Sequence, residues 1–156
     1  MNSTRQKVLV VANRTADSPD LIEALCRRAA EGPTSFTLLV PAVPHGLAWA
    51  ADMKAGWSEA ALRAERAGGH MRRQGLELEE VIVGDPDPFA AVGDVLHARQ
   101  FDAILVSTLP RTISGWLAMR LPARLRRTLD LPVVEVSAQP LAQPLPDRSA
   151  GEPVAA

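Results

Sequence analysis

The chain has 156 residues, 47% of them hydrophobic and 22% charged, which is enough to bury a core as one domain. A formal net charge of -1 argues against a general nucleic-acid or membrane-surface binder. The single cysteine, Cys26, excludes an internal disulfide and a multi-cysteine metal site and fits a reducing, cytoplasmic setting; no apolar run approaches the roughly 20 residues of a membrane span.

In chain order, apolar runs alternate with segments of helical period. Val8–Ala12 reads as a first strand, closed by the polar turn Asn13-Arg14-Thr15-Ala16-Asp17. Ser18-Pro19 supplies an N-cap and a first-turn proline, and Leu21, Ile22, Leu25, Cys26 and Ala29 share one apolar helix face until Gly32-Pro33 ends it. Ser35–Val40 reads as the second strand, and a breaker-rich loop follows. The next helix is expected from Trp57 or Ser58 to Gln74, weakened in its second half by Gly68-Gly69 and stopped by Gly75. Leu76–Val83 is the third strand. Gly84-Asp85-Pro86 turns the chain, Asp87 caps and Pro88 opens a third helix, and Phe101–Val106 is the fourth strand. Pro122 opens a short last helix and Val133–Val136 forms the fifth strand. Strands of this apolar character separated by helices mean a parallel sheet covered on both faces. The expected organisation is a lead over 1–6, an α/β domain over 7–137 and a structureless Pro- and Ala-rich tail over 138–156.

Ligands of open parallel sheets bind beyond the C-terminal strand ends, where strand order reverses. That directs attention to Asn13–Asp17, Gly84–Asp87 and Ser107–Arg120. The last loop stands where a phosphate cradle would, yet Ser107 to Trp116 contains one glycine and a proline. Proline has no N–H for a phosphate, and a backbone nest uses glycine for its positive φ. Side-chain groups remain: hydroxyls of Ser107, Thr108, Thr112 and Ser114, and guanidinium forks of Arg111 and Arg120.

Several other features have bland readings. Arg120, Arg124, Arg126 and Arg127 read as the wet face of a helix, and Asp85 and Asp87 as a turn and a cap rather than magnesium ligands. His45, His70 and His97 share no metal-ligand spacing. Cys26 reads as a buried, inert thiol, and Trp49 and Trp57 as core or lid packing. No Gly-x-Ser-x-Gly elbow, Walker loop or dinucleotide fingerprint is present, and no nucleophile with a partner base can be named, so the reading is not an enzyme.

The order of these elements resembles the universal stress protein family. The resemblance is carried by Asn13-Arg14-Thr15 after the first strand, Thr37-Leu38-Leu39-Val40, Gly84-Asp85-Pro86 before a helix, Asp102-Ala103-Ile104-Leu105-Val106, and the closing Leu131-Pro132-Val133-Val134. It covers Lys7 to Val136 and is similar to a divergent branch lacking the glycine-rich loop. It implies a single-domain, five-stranded open parallel sheet of order 3-2-1-4-5 with helices on both faces, cytoplasmic and dimeric. Many members bind ATP or a related nucleotide, through an aspartate after strand one and a glycine-rich loop after strand four. In this chain the aspartate position falls on Asn13, the first loop glycine on Ser107, the second near Pro110, and the final Gly-Ser/Thr near Met119-Arg120. The candidate ligand-binding set is therefore Ala12, Asn13, Val40, Pro41, Gly84, Ser107, Thr108, Arg111, Thr112, Ser114 and Arg120, for ATP, AMP, a cyclic nucleotide or another anion. The candidate dimer edge is Val133, Val134, Glu135 and Val136, since an exposed apolar strand edge invites pairing. The leading expectation is a regulatory domain acting through dimerisation and partner contacts, with a degenerate nucleotide crevice. The alternative is a small-molecule binding module.

Overall fold

A computed structural model describes residues 4–42, 53–110 and 120–139. Five parallel strands, β1 (Gln6–Val11), β2 (Thr34–Pro41), β3 (Glu77–Gly84), β4 (Ala103–Thr108) and β5 (Val133–Ser137), form one sheet of order β3-β2-β1-β4-β5. Four helices among the described residues connect them: α1 (Pro19–Glu31), α2 (Met53–Arg73), α3 (Pro88–Ala98) and α4 (Arg120–Thr128). The expected fold class and strand order are those observed. None of these helices is long and apolar enough to cross a membrane.

The near-continuous apolar strands reflect burial on both faces. Val8, Val10, Phe36, Leu38, Val40, Ala103 and Leu105 pack on one side against Leu21, Ile22 and Leu25 of α1 and Ala60, Ala64, Ala67 and Met71 of α2. Leu9, Val11, Leu39, Ile104, Val106 and Val133 face the other way, onto Ala91, Val92 and Val95 of α3 and Leu125 of α4. Each fully buried aliphatic of this kind contributes roughly 1.5–3 kcal/mol. Cys26 is partly buried on the edge of the first cluster.

Local chemistry sets most boundaries. The Ser18 hydroxyl caps α1, accepting from the Asp20 N–H, and Asp87 caps α3, accepting from the Phe89 N–H at 2.9 Å. Asp85 accepts from the Asp87 N–H at 2.8 Å, so both carboxylates serve the turn and cap assigned to them. Gly75 ends the segment after α2 with φ +79.

Several strand and helix boundaries differ from the sequence reading by one or more residues, and four of the differences are informative. Helix α2 begins at Met53 and runs through Gly68-Gly69. A Cβ at Gly68 would stand 2.9 Å from Val81 Cγ2, so this glycine lets the helix lie close on β3. Helix α4 begins at Arg120, with Pro122 inside the first turn, where its missing N–H has no intrahelical role. Strand β4 runs two residues beyond Val106, because Ser107 and Thr108 pair in register with Val136 and Ser137. Ala138, expected to lie in the structureless tail, is buried and donates its N–H to the Thr108 carbonyl at 2.8 Å. The Gln139 N–H in turn reaches the Asp20 carboxylate at 2.9 Å.

Candidate functional site

Strand order reverses between β1 and β4, which places the crevice at the ends of these two strands. The chain leaving β1 is tightly wound there. Ala16 N–H donates to the Asn13 carbonyl at 3.1 Å and Ser18 N–H to the Thr15 carbonyl at 3.0 Å. Thr15, Ala16 and Ser18 are all buried, so the loop is a fixed platform rather than a loose connection.

Two side chains on that platform span the crevice walls. Toward β4, the Thr15 hydroxyl lies 2.6 Å from the Ser107 hydroxyl, a bond between residues 92 positions apart. Toward β2, the Asn13 amide donates to the Pro41 carbonyl at 2.6 Å. The Asn13 oxygen accepts from the Arg63 guanidinium, also at 2.6 Å, and Arg63 is paired one helical turn back with Glu59 at 2.9 Å. A chain of polar contacts therefore runs Glu59–Arg63–Asn13–Pro41 from α2 across the crevice to the end of β2.

The sequence-derived candidates distribute unevenly over this geometry. Asn13, Pro41 and Ser107 come together around the crevice, joined by Thr15 and Arg63. Ala12 and Val40 are buried in the core beneath it. Ser107 and Thr108 are strand residues, not the start of a loop, and Thr108 turns its hydroxyl to the Glu135 carboxylate at 3.1 Å. Gly84 is occupied structurally: a Cβ there would meet Leu39 Cδ1 at 2.7 Å and Ala91 Cβ at 2.8 Å, so its bare backbone lets α3 seat against β2. Arg111, Thr112 and Ser114 lie outside the described residues, as do Trp49 and His45. Arg120 is placed only as the first residue of α4.

Thr15 and Arg63 were absent from the candidate set. Thr15 lies within the inspected turn, but a threonine in a polar turn gives no sign that it will be buried. Arg63 follows Glu59 by four residues, a common surface pair, and nothing in sequence brings α2 to the end of β1.

The electrostatics of the crevice are correspondingly filled. The positive end of α1 already carries a carboxylate, Asp20, in its first turn. The arginines of α4 are partly engaged as well: Arg124 stacks over the Phe89 ring at 3.7 Å, and Arg126 Nε donates to the Val133 carbonyl at 3.1 Å. Arg124, Arg126 and Arg127 are all exposed, as expected of the wet face of this helix. Trp57, expected to pack as core or lid, is 40% exposed and lines an open groove of about 350 Å³ with Ile82, Gly84, Asp94 and Arg99 at the β3 edge.

Strand β5 is the other sheet edge. Ile104 N–H donates to the Pro132 carbonyl and Ala138 N–H to the Thr108 carbonyl. By the alternation of a parallel ladder, the backbone of Val133, Glu135 and Ser137 then points outward, away from β4. Val134 is 40% exposed, while Val136 packs on the core.

Among solved structures the chain matches a universal stress protein from Archaeoglobus fulgidus, with a TM-score of 0.62 and 18% identity over 85% of this chain and 98% of that one. The chain has the universal stress protein fold. A universal stress protein solved in complex with cAMP shares the fold at a TM-score of 0.53 and 22% identity, covering 86% of this chain and 98% of that one. A universal stress protein family member from Arabidopsis thaliana with AMP bound does so at a TM-score of 0.50 and 14% identity, covering 86% and 92%. No protein-family model matches the sequence, and no curated protein matches it significantly.

Proposed function

We propose that this chain is a cytoplasmic regulatory domain of the universal stress protein type, which works by dimerising and contacting partners and whose nucleotide crevice is degenerate. The observation that carries this reading is that the polar side chains at the switch point are bonded to one another: Thr15 to Ser107, and Asn13 to both Pro41 and Arg63. A nucleotide entering there would have to break these contacts. It would gain no glycine-rich backbone cradle in return, because Ser107 and Pro110 stand where glycines would be needed. The Asp20 carboxylate at the α1 terminus adds repulsion for a phosphate.

The dimerising surface in this reading is the β5 edge. Its outward amides at Val133, Glu135 and Ser137 and its exposed Val134 suit antiparallel pairing with a second copy, whereas the β3 edge carries Glu77, Glu79 and Glu80. Glu77 and Glu80 are paired with Arg5 and Arg99, so that edge is lined by charged side chains whose desolvation opposes edge-to-edge pairing. Sedimentation equilibrium at micromolar concentration is expected to give about twice the 16.7 kDa chain mass. A monomer across that range would refute the dimer.

A second reading is a small-molecule module taking ATP, AMP or a cyclic nucleotide. The solved relatives carrying cAMP and AMP favour it, as does a guanidinium placed in the crevice, a group suited to anions. Thermal unfolding with ATP, ADP, AMP and cAMP separates the two readings. A ligand held at 100 times its Kd stabilises the native state by about 2.7 kcal/mol, or several degrees at this size. The leading reading predicts no shift at millimolar nucleotide.

A further inference from the structure

Arg63 stands at the margin of the α2 face that packs on the sheet: Ala60, Ala64 and Ala67 are buried, while Ala61, Leu62, Glu65 and Arg66 are exposed, so the open side is within easy reach of its side chain. An arginine in such surroundings ordinarily extends its charged head into water. Arg63 instead keeps its side chain only 20% exposed, steered by Glu59 on one side and by the Asn13 oxygen on the other. The geometry at Asn13 is chemically selective. The Pro41 carbonyl requires a donor and the Arg63 guanidinium requires an acceptor, and a carboxamide supplies both from one side chain. A carboxylate would set an acceptor against the Pro41 carbonyl. Asparagine is the residue this arrangement needs, and its amide is held in a single orientation by the two bonds.

A guanidinium is flat and presents its N–H donors in one plane, as the amino-bearing edge of a nucleobase does. The acceptor it occupies sits at the crevice of the sheet, where an external planar ligand would dock. We infer that Arg63 is an internal occupant of this crevice and the residue that decides what it admits: its guanidinium holds the acceptor edge at which the N–H groups of a planar heterocycle would bind. This rests on the reading of the crevice as closed, and it assigns the closure on the β2 side to one side chain.

Adenosine is the suitable probe, because it presents an amino-bearing heterocycle without a phosphate, so that the missing glycine cradle does not enter. Thermal unfolding of the native chain, Arg63→Ala, Arg63→Met and the exposed control Arg66→Ala would be followed with adenosine up to millimolar concentration. The native chain and Arg66→Ala are expected to show no shift, and the two Arg63 variants a saturable rise of about 3 °C or more once adenosine is roughly tenfold above its Kd. Arg63→Met keeps the aliphatic stem on the helix, so it decides the matter if Arg63→Ala folds poorly. If both variants unfold cooperatively and neither shifts, the inference is overturned while the closed-crevice reading stands. A shift in the native chain would instead overturn that reading and the inference with it.

Discussion

The bond between the Thr15 and Ser107 hydroxyls can be weighed by a double-mutant cycle in Thr15→Val, Ser107→Ala and the combined variant. Thr15 is 2% exposed and lies 2.6 Å from its partner, so the two hydroxyls satisfy one another largely out of water. Ser107→Ala leaves the Thr15 hydroxyl buried without its partner, which costs about 1–3 kcal/mol. Thr15→Val preserves the shape and strands the Ser107 hydroxyl, which is only half-buried and can recover water, so the loss is smaller, about 1 kcal/mol. Removing both costs less than the sum of the single changes by about 0.5–1.5 kcal/mol, the coupling of a net hydrogen bond. Urea unfolding of the four proteins with a common m-value provides the assay. Additivity within about 0.3 kcal/mol would mean that the hydroxyls do not hold the turn after β1 to the end of β4, and the account of the crevice would lose its β4 wall.

Other substitutions test the packing and the edge. Gly84→Ala should destabilise by about 1–3 kcal/mol in denaturant unfolding, because its Cβ would press on Leu39 and Ala91, whereas Gly93→Ala within α3, with nothing inside 4 Å, should stabilise by roughly 0.5–1 kcal/mol; equal effects would refute the close approach at Gly84. Ser35→Ala should leave the thermal midpoint unchanged or raise it, since the Ser35 hydroxyl is buried without a hydrogen-bond partner, and a loss above about 1 kcal/mol would reveal one. Glu135→Pro removes an outward N–H that β4 does not use, so it should give a folded monomer by sedimentation and circular dichroism; a persistent dimer would place the interface elsewhere.

Much of the fold was legible because its strands are continuous apolar runs and its turns carry proline, glycine and capping residues at informative places. Ser18-Pro19 and Asp87-Pro88 mark two helix starts, and both cap as their chemistry requires. The misplaced boundaries share a physical cause. Gly68 weakens a helix in isolation but makes room for Val81, and Ser107 and Thr108 are polar yet remain in β4 because β5 supplies their ladder. Both depend on neighbours that local pattern cannot reveal. The crevice was only half legible. Strand order points to Asn13 and Ser107, but Arg63 arrives from a helix whose packing angle the sequence does not encode in any short motif. The engagement of Asn13 by Pro41 and Arg63 is likewise a tertiary fact, and it changes the meaning of asparagine at that position from a weakened ligand contact to the centre of an internal network.

The central claim is that the chain's own side chains fill the crevice of a universal stress protein fold. It is tested most directly by following backbone amide resonances of the native protein during titration with ATP and cAMP to millimolar concentration. The account predicts no saturable change at residues 12–18, 42 or 107–109, whose amides line or adjoin the crevice. Saturable shifts confined to those residues would contradict it and make the crevice a working nucleotide site.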